Sequence, residues 1–217
     1  MSHRVRVKIC CIADQDEARM AVRHGASAVG LVSEMPSGPG VIPEEMIFEI
    51  ARTVPPAVAT FLLTCRQDAA SIIAQQRNCR VNTIQLCDSV EAHVYDALRE
   101  AMPGVALVQV IHVRGRESLA EAVSLTGRVD ALLLDSGNQN LPVKELGGTG
   151  RRHDWQISRA IVEAVDVPVF LAGGLNPQNV AEAIEQVGPF GLDVCSGVRT
   201  GGRLDEEKLS GFFAGII

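Results

Sequence analysis

The stretch that decides the fold is residues 167–180, Val-Pro-Val-Phe-Leu-Ala-Gly-Gly-Leu-Asn-Pro-Gln-Asn-Val. A short run of β-branched and aromatic residues predicts a strand, and the glycine pair after it predicts a tight loop. Asn176 to Asn179 then have the composition of a capped helix start, with Pro in the first turn. The stretch therefore indicates one βα unit, from which parallel sheets are built.

The same alternation continues on both sides of this stretch. Helix starts are predicted at Asp14, Pro43 and Asp205, and Gly25 has the position of a glycine that ends the first helix. The predicted strands are Arg4–Cys11, Ser27–Val32, Ala57–Leu63, Thr83–Leu86, Ala106–Val110, Ala131–Leu134, Pro168–Leu171 and Gly191–Cys195. Eight such units favour a closed barrel over an open sheet.

An open, doubly wound sheet of this length would be expected to carry a glycine-rich phosphate loop after its first strand. The residues there are Ile12-Ala-Asp-Gln-Asp16, without glycine. We therefore predict an α/β protein, a single (β/α)₈ TIM barrel, with residues 1–217 forming one domain.

Composition limits the class of function. The 217 residues are 47% hydrophobic with a net charge of −6, and Lys and Arg form no cluster larger than a pair. This argues against nucleic acid or a membrane surface as a partner and favours a small soluble ligand.

No segment has the length of a membrane span or the features of an export signal, so we expect a cytoplasmic protein. The six cysteines are irregularly spaced and are predicted to be reduced thiols.

Glycine-rich turns follow the last three predicted strands, at 147–150, 173–174 and 196–197. Barrels that bind phosphorylated substrates commonly hold the phosphate on the loops after strands seven and eight, where backbone N–H groups approach the anion closely. The predicted phosphate-binding residues are Gly148, Thr149, Gly150, Gly173, Gly174, Ser196 and Gly197.

Several motifs carry a resemblance to a known family, and they occur in its order and spacing. They are Lys8-Ile-Cys10, Leu132-Leu-Leu-Asp-Ser136, Gly147-Gly-Thr-Gly150 with Asp154-Trp155, Leu171-Ala-Gly-Gly-Leu-Asn-Pro-Gln-Asn-Val180 and Asp193-Val-Cys-Ser-Gly-Val198. Over nearly its whole length the chain resembles the phosphoribosylanthranilate isomerases, barrel enzymes of tryptophan biosynthesis.

The resemblance implies an Amadori rearrangement of N-(5′-phosphoribosyl)anthranilate that requires neither cofactor nor metal. It implies that Asp135 is the general acid and Cys10 the general base, and it places Lys8 and Asp193 near the substrate. Such a step needs an acid to protonate the ring oxygen and a base to take the proton from carbon 2. Family members occur as monomers and as dimers, so either state is expected here.

The chain also departs from the family pattern. The family's Ser-Pro-Arg, whose arginine holds the anthranilate carboxylate, is Gly38-Pro39-Gly40 here, at an expected loss of about 2 kcal/mol of binding. Four further departures are Cys11 for glycine, Cys87-Asp88 for His-Gly, His153 for an aromatic residue and Arg199 for Glu. The alternatives are a paralogue acting on another phosphoribosyl amine or a noncatalytic phosphate-ligand sensor. Another arginine could also replace the missing charge, and the candidates are Arg66, Arg114 and Arg199.

A metal site is the remaining alternative, because several thiols and His153 fall at the predicted active-site face. Adjacent residues of a strand point to opposite faces, so Cys10 and Cys11 are not expected to face the barrel axis together. No pair of candidate ligands has the spacing of a helical or knuckle motif. The sequence therefore predicts no metal.

Overall fold

The computed structural model describes residues 5–148 and 150–216 and shows a closed barrel of eight parallel strands in sequential order, so the predicted barrel is confirmed. The barrel strands are β1 Arg6–Ile9, β2 Ala28–Val32, β3 Ala59–Thr64, β4 Thr83–Leu86, β5 Ala106–His112, β6 Ala131–Asp135, β7 Val169–Leu171 and β8 Gly191–Val194. The helices are α1 Gln15–Arg23, α2 Glu44–Ala51, α3 Ala69–Cys79, α4 Ala92–Ala101, α5 Glu117–Leu125, α6 Trp155–Ala164, α7 Val180–Val187 and α8 Glu206–Ala214.

Two predicted helix starts are observed as side-chain caps, whereas α7 begins only at Val180, after the turn that contains Pro177, so the prediction of Pro in its first turn is wrong. Asp14 accepts a hydrogen bond from the Glu17 N–H at 2.8 Å, and Asp205 accepts one from the Lys208 N–H at 3.1 Å. Gly25 follows α1 with φ of +101°, a conformation that glycine adopts without a steric penalty. These contacts satisfy backbone groups that would otherwise be left without partners at helix ends.

One element was missed. A 3₁₀ turn at Ser196–Val198 leads into a two-stranded antiparallel hairpin of β9 Arg199–Thr200 and β10 Arg203–Leu204. Gly201 and Gly202, both with positive φ, form its turn. Strands of two residues carry too few positions for a periodic pattern to show in the sequence.

The core lies in two layers, because each barrel strand is buried on both faces. Outward residues such as Ile9, Leu132 and Leu192 pack against the helices, whereas inward residues such as Leu133 and Phe170 fill the barrel. The strand alternation therefore decides which side chains can reach the axis. Within the described residues no helix combines the length and apolarity needed to cross a bilayer.

Candidate active site

Four polar side chains share the inward register of their strands. Lys8 in β1 and Cys10 just after it alternate with the outward Val7 and Ile9, while Asp135 ends β6 and Asp193 lies in β8. All four are at least nine-tenths buried. Because β1 and β8 are neighbours, Lys8 lies directly across from Asp193.

Lys8 links this pair to the thiol of Cys10. Its Nζ atom donates to Asp193 Oδ1 at 2.7 Å and to Cys10 Sγ at 3.6 Å. Burial by itself lowers the pKa of Lys8, but the charges of Asp193 and Cys10 outweigh burial and raise the pKa well above its ordinary value. The lysine is therefore a permanent cation, placed to stabilise negative charge on the sulfur.

Asp135 lies in the opposite electrostatic situation. Burial is the main cause that raises the pKa of its carboxyl above the ordinary value, and the charge of Asp193 adds to it. The Ser136 N–H, which donates to Asp135 Oδ1 at 2.7 Å, opposes the rise. The raised pKa favours the protonated form of this carboxyl group, which is the form that a general acid requires.

These groups open into a cleft at the C-terminal ends of the strands, where barrel enzymes have their active sites. Cys10, Asp135 and Asp193 line it, and Lys8 lies beneath. The predicted phosphate residues that line the same cleft are Gly148, Gly150, Gly173, Gly174 and Ser196. Thr149 lies outside the described residues.

The glycine loops meet closely. A side chain at Gly174 would come within 3.0 Å of the Gly150 carbonyl oxygen, and one at Gly173 within 3.3 Å of Asp135 Oδ1. A side chain at Gly197, which does not line the cleft itself, would overlap the Leu175 carbonyl. Glycine thus lets backbone from three βα loops approach the same end of the cleft.

Cys11 contradicts one prediction. Cys10 and Cys11 both line the cleft, although strict alternation would turn them to opposite faces. The reason is that β1 ends at Ile9 and Cys11 adopts φ of +60°, so the chain leaves extended geometry before residue 11. A left-handed backbone conformation is uncommon for cysteine, so it could not be predicted from the residue type.

Cys11 and Gly40 occupy complementary space. A Cβ atom at Gly40, whose φ is +80°, would lie 2.5 Å from Cys11 Cβ and 3.0 Å from Cys11 Cα. These are the positions at which the resembling family has glycine and arginine respectively. In this chain the side chain is at position 11 and the glycine is at position 40, the reverse of the family pattern. The Cys11 side chain therefore excludes an arginine from position 40.

None of the three candidate arginines reaches the cleft. Arg66 donates to Glu44 Oε1 at 2.9 Å and to a backbone carbonyl, Arg199 is buried against Glu17, and Arg114 is exposed. Among the described residues that line the cleft there is neither Lys nor Arg. The cleft wall beside Cys11 is made of small, thiol and apolar groups, among them Met35.

Metal ligands do not converge either. No group of three or more His, Cys, Asp or Glu side chains in the described part of the chain has the geometry of a metal site. His153 packs beside Gly173 and makes a 2.7 Å hydrogen bond with Ser158 Oγ. Burial lowers the pKa of His153 to about 4, so it is a neutral loop residue.

No role for Gln85 was predicted from the sequence. This inward residue of β4 lines the cleft, and its Oε1 atom is buried and has no hydrogen-bond partner in the described structure.

A buried ion pair next to the site was also not predicted from the sequence. In this pair Arg199 donates to both carboxylate oxygens of Glu17 at 2.9 Å. The same guanidinium donates to the Cys10 and Cys11 carbonyls at 3.1 and 2.5 Å. This clamp fixes the turn that carries both cysteines.

Glu17→Gln is expected to remove about 3 kcal/mol from the free energy of unfolding at pH 7, because it leaves Arg199 buried without its counter-charge. Burial raises the pKa of Glu17, but Arg199 and two backbone N–H groups outweigh it and hold the pKa below its ordinary value. The stabilisation is therefore present above the unfolded pKa of about 4.3 and is lost as the pH falls through the folded pKa.

Urea unfolding of both proteins at pH 7 and in acid measures this difference. The matched control is Asp16→Asn in the same helix, where an 89% exposed carboxylate pairs with Arg19 and at most about 0.5 kcal/mol is expected. Equal losses for the two variants would contradict a stabilising clamp.

Comparison with known proteins places the fold and the cleft in context. Residues 7–214 match the family model described as N-(5′-phosphoribosyl)anthranilate (PRA) isomerase. Proteins named N-(5′-phosphoribosyl)anthranilate isomerase from Haloferax volcanii and Methanocella arvoryzae are 37% and 34% identical, over 96% and 94% of this chain and 91% and 93% of theirs. The solved phosphoribosyl anthranilate isomerase of Thermococcus kodakaraensis superposes with a TM-score of 0.82 at 28% identity, covering 98% of each chain.

Proposed function

Because the chain belongs to the N-(5′-phosphoribosyl)anthranilate isomerase family, we propose that Cys10 and Asp135 carry out the family's reaction in the cleft at the strand ends. The protein is an isomerase of tryptophan biosynthesis that converts N-(5′-phosphoribosyl)anthranilate to 1-(2-carboxyphenylamino)-1-deoxyribulose 5-phosphate. The reaction is an Amadori rearrangement of the aldose-to-ketose type. The alternative of a paralogue or a noncatalytic sensor gains no support from the comparisons.

The assignment of roles rests on one observation: Asp135 and Cys10 lie in the same cleft, and their surroundings favour different charge states. Burial raises the pKa of Asp135, which favours its protonated form, while Cys10 lies 3.6 Å from the Lys8 ammonium. A carboxyl group whose pKa is raised and a thiol beside a buried cation supply the acid and the base that this two-proton reaction needs.

In the proposed mechanism, protonated Asp135 transfers its proton to the furanose ring oxygen. The bond from that oxygen to carbon 1 breaks, and the nitrogen lone pair forms the Schiff base. Cys10 then takes the proton from carbon 2, and the resulting enol tautomerises to the ketose. Lys8, held by Asp193, balances the negative charge of the sulfur before this step.

The proposed phosphate site consists of the backbone around Gly148, Gly150, Gly173 and Gly174, with Ser196 and Gly197 beside them. Several N–H groups presented by converging loops are suited to an anion. Thr149 completes the sequence motif of this proposed site. We further propose a cytoplasmic location, since the substrate is a small phosphorylated metabolite.

Steady-state turnover of freshly generated N-(5′-phosphoribosyl)anthranilate, followed by loss of its fluorescence, tests the proposed function. Turnover that depends on Asp135 supports it. Binding of a phosphorylated ligand without turnover would instead identify a sensor.

Gly40→Arg alone is expected to raise KM, because its side chain collides with Cys11 in the cleft wall. Adding Cys11→Gly removes the contacts with Cys11 Cβ and Sγ, leaves the 3.0 Å contact with the Cα of residue 11, and lets the guanidinium reach the anthranilate carboxylate. A charge-assisted contact of about 2 kcal/mol corresponds to a KM roughly 30-fold lower for the double variant than for Gly40→Arg.

The matched control is Cys11→Gly with Gly40→Gln, which fills similar space without charge. KM and kcat are measured for the wild type, both single variants and both double variants. If the two changes act additively on KM and on unfolding free energy, the proposed spatial exchange between positions 11 and 40 is wrong.

A further inference from the structure

Two thiols that the isomerase mechanism does not use meet in the wall of the cleft. Cys11 follows β1 and Cys195 follows β8, and these adjacent strands are in register at Ile9 and Val194. The two Sγ atoms are 2.7 Å apart, and both thiols are free. Non-bonded sulfur atoms normally lie well beyond this distance, whereas a disulfide bond measures about 2.05 Å.

We propose that Cys11 and Cys195 are a redox-active dithiol that forms a reversible disulfide on reaction with a low-molecular-weight disulfide such as oxidised glutathione. The pair is a modification site in the cleft wall, beside the base Cys10 and distinct from the residues of the rearrangement. Its effect on turnover rests on the proposed function, but its thiol chemistry does not.

The surroundings hold the two cysteines in position. Cys10 N–H donates to the Val194 carbonyl at 2.9 Å, which extends the β1 to β8 pairing beyond Ile9. Arg199, four residues after Cys195, donates to the Cys11 carbonyl at 2.5 Å and is itself held by Glu17. Because both segments are fixed to each other, only a small shift of the sulfur atoms is required for bonding.

The two thiols differ in exposure and pKa, and these differences determine which of them attacks the small disulfide first. Cys195 is partly exposed and lines the cleft, whereas Cys11 is 6% exposed. The hydrogen bond between the two thiols lowers the pKa of Cys195, with help from the charge of Arg199, whereas hydrogen bonds with Cys10 and with Cys195 raise the pKa of Cys11. Cys195 is therefore the thiolate that attacks from the cleft, and Cys11 is the resolving thiol.

The exchange balances in two steps. The Cys195 thiolate attacks one sulfur of the small disulfide, forming a mixed disulfide and releasing one small thiolate. That thiolate accepts the proton of Cys11, whose sulfur attacks Cys195 Sγ and expels the second small thiolate. Starting from the Cys195 thiolate, the protein gives up one proton and two electrons. The small disulfide becomes one thiol and one thiolate, and the latter takes up the proton that Cys195 had released to solvent.

The test incubates the full chain in glutathione buffers of increasing oxidised fraction, blocks remaining thiols by alkylation and maps the peptides by mass spectrometry. A Cys11–Cys195 disulfide is expected in the wild type, reversed by dithiothreitol. In Cys11→Ser, Cys195 should accumulate as the mixed disulfide with glutathione, and in Cys195→Ser, Cys11 should remain a thiol. Alkylatable Cys195 at every ratio, or pairing of Cys11 with Cys10 instead, would overturn the proposal.

Turnover provides a separate readout. Oxidation is expected to lower kcat/KM of the wild type about tenfold, since small displacements beside a reacting group are costly, and dithiothreitol should restore it. Cys195→Ser should have the same kcat/KM before and after oxidation, which excludes oxidation of Cys10 as the cause. If the reduced wild type shows no turnover, the proposed function fails while the peptide map still decides the dithiol. If the Cys11–Cys195 disulfide formed but kcat/KM did not change, only the proposed effect of the disulfide on catalysis would be wrong.

Discussion

Asp135→Asn is expected to lower kcat by about 10²- to 10⁴-fold, the range that loss of a general acid produces. Asparagine keeps the size of the side chain and its contact with the Ser136 N–H, but it has no proton to give to the ring oxygen. Binding of a stable analogue of the phosphorylated product should remain within about threefold of wild type, because the phosphate loops are unchanged.

The pH profile distinguishes loss of the acid from distortion of the cleft. Because burial raises the pKa of Asp135, wild-type kcat should fall as the pH rises through that value, and Asp135→Asn should lose this dependence. A carboxyl with a raised folded pKa contributes stability that is present below its unfolded pKa of about 3.9 and is lost as the pH rises through the folded one.

Asp135→Asn should therefore be at least as stable as wild type at neutral pH, with the difference vanishing in acid. This result would show that lost turnover is not lost folding. A variant that folds and retains more than a tenth of wild-type kcat would remove Asp135 from the role of acid.

The sequence predicts the barrel well because parallel strands buried on both faces form short apolar runs that glycine and helix caps delimit. Predicted Thr83–Leu86 coincides with β4, whereas predicted Arg4–Cys11 is observed as β1 Arg6–Ile9, with Arg4 outside the described residues. Strand ends depend on where pairing partners stop, which a single segment does not encode. Inward register at Asp135 and Asp193 follows from the same alternation.

Long-range partners could not be predicted in the same way. Glu17 and Arg199 are 182 residues apart, and each by itself resembles an ordinary polar residue of a helix start or loop. The left-handed residue Cys11 contacts both this clamp and Gly40. The family pattern marks positions 11, 40 and 199 as departures, and the fold shows that positions 40 and 199 both contact residue 11.

Cys10→Ala is expected to lower kcat about 10²- to 10⁴-fold, because it removes the group that we propose takes the proton from carbon 2. The substituted side chain faces Gly30, where any Cβ atom would lie 2.9 Å from the Cys10 sulfur, so the site is already shaped around that sulfur. Removing it leaves the Lys8 ammonium paired with Asp193 alone.

The matched control is Cys79→Ala, which deletes a fully buried thiol at the end of α3, in the core layer between helices and barrel. Burial raises the pKa of Cys79 to about 12, so that thiol is inert at neutral pH. The control should lose stability with little change in kcat. Steady-state kinetics of both variants, with thermal unfolding alongside, make the comparison.

Cys10→Ser extends the test to the role of the lysine. A hydroxyl in place of the thiol keeps the geometry beside Lys8 but ionises far less readily, so kcat should stay close to that of Cys10→Ala. If Cys10→Ser had a kcat near that of wild type, residue 10 would only position the substrate, and the base would be another group in the cleft. Low activity of both variants with unchanged analogue binding would assign proton abstraction to the sulfur itself, because the two replacements share only its absence.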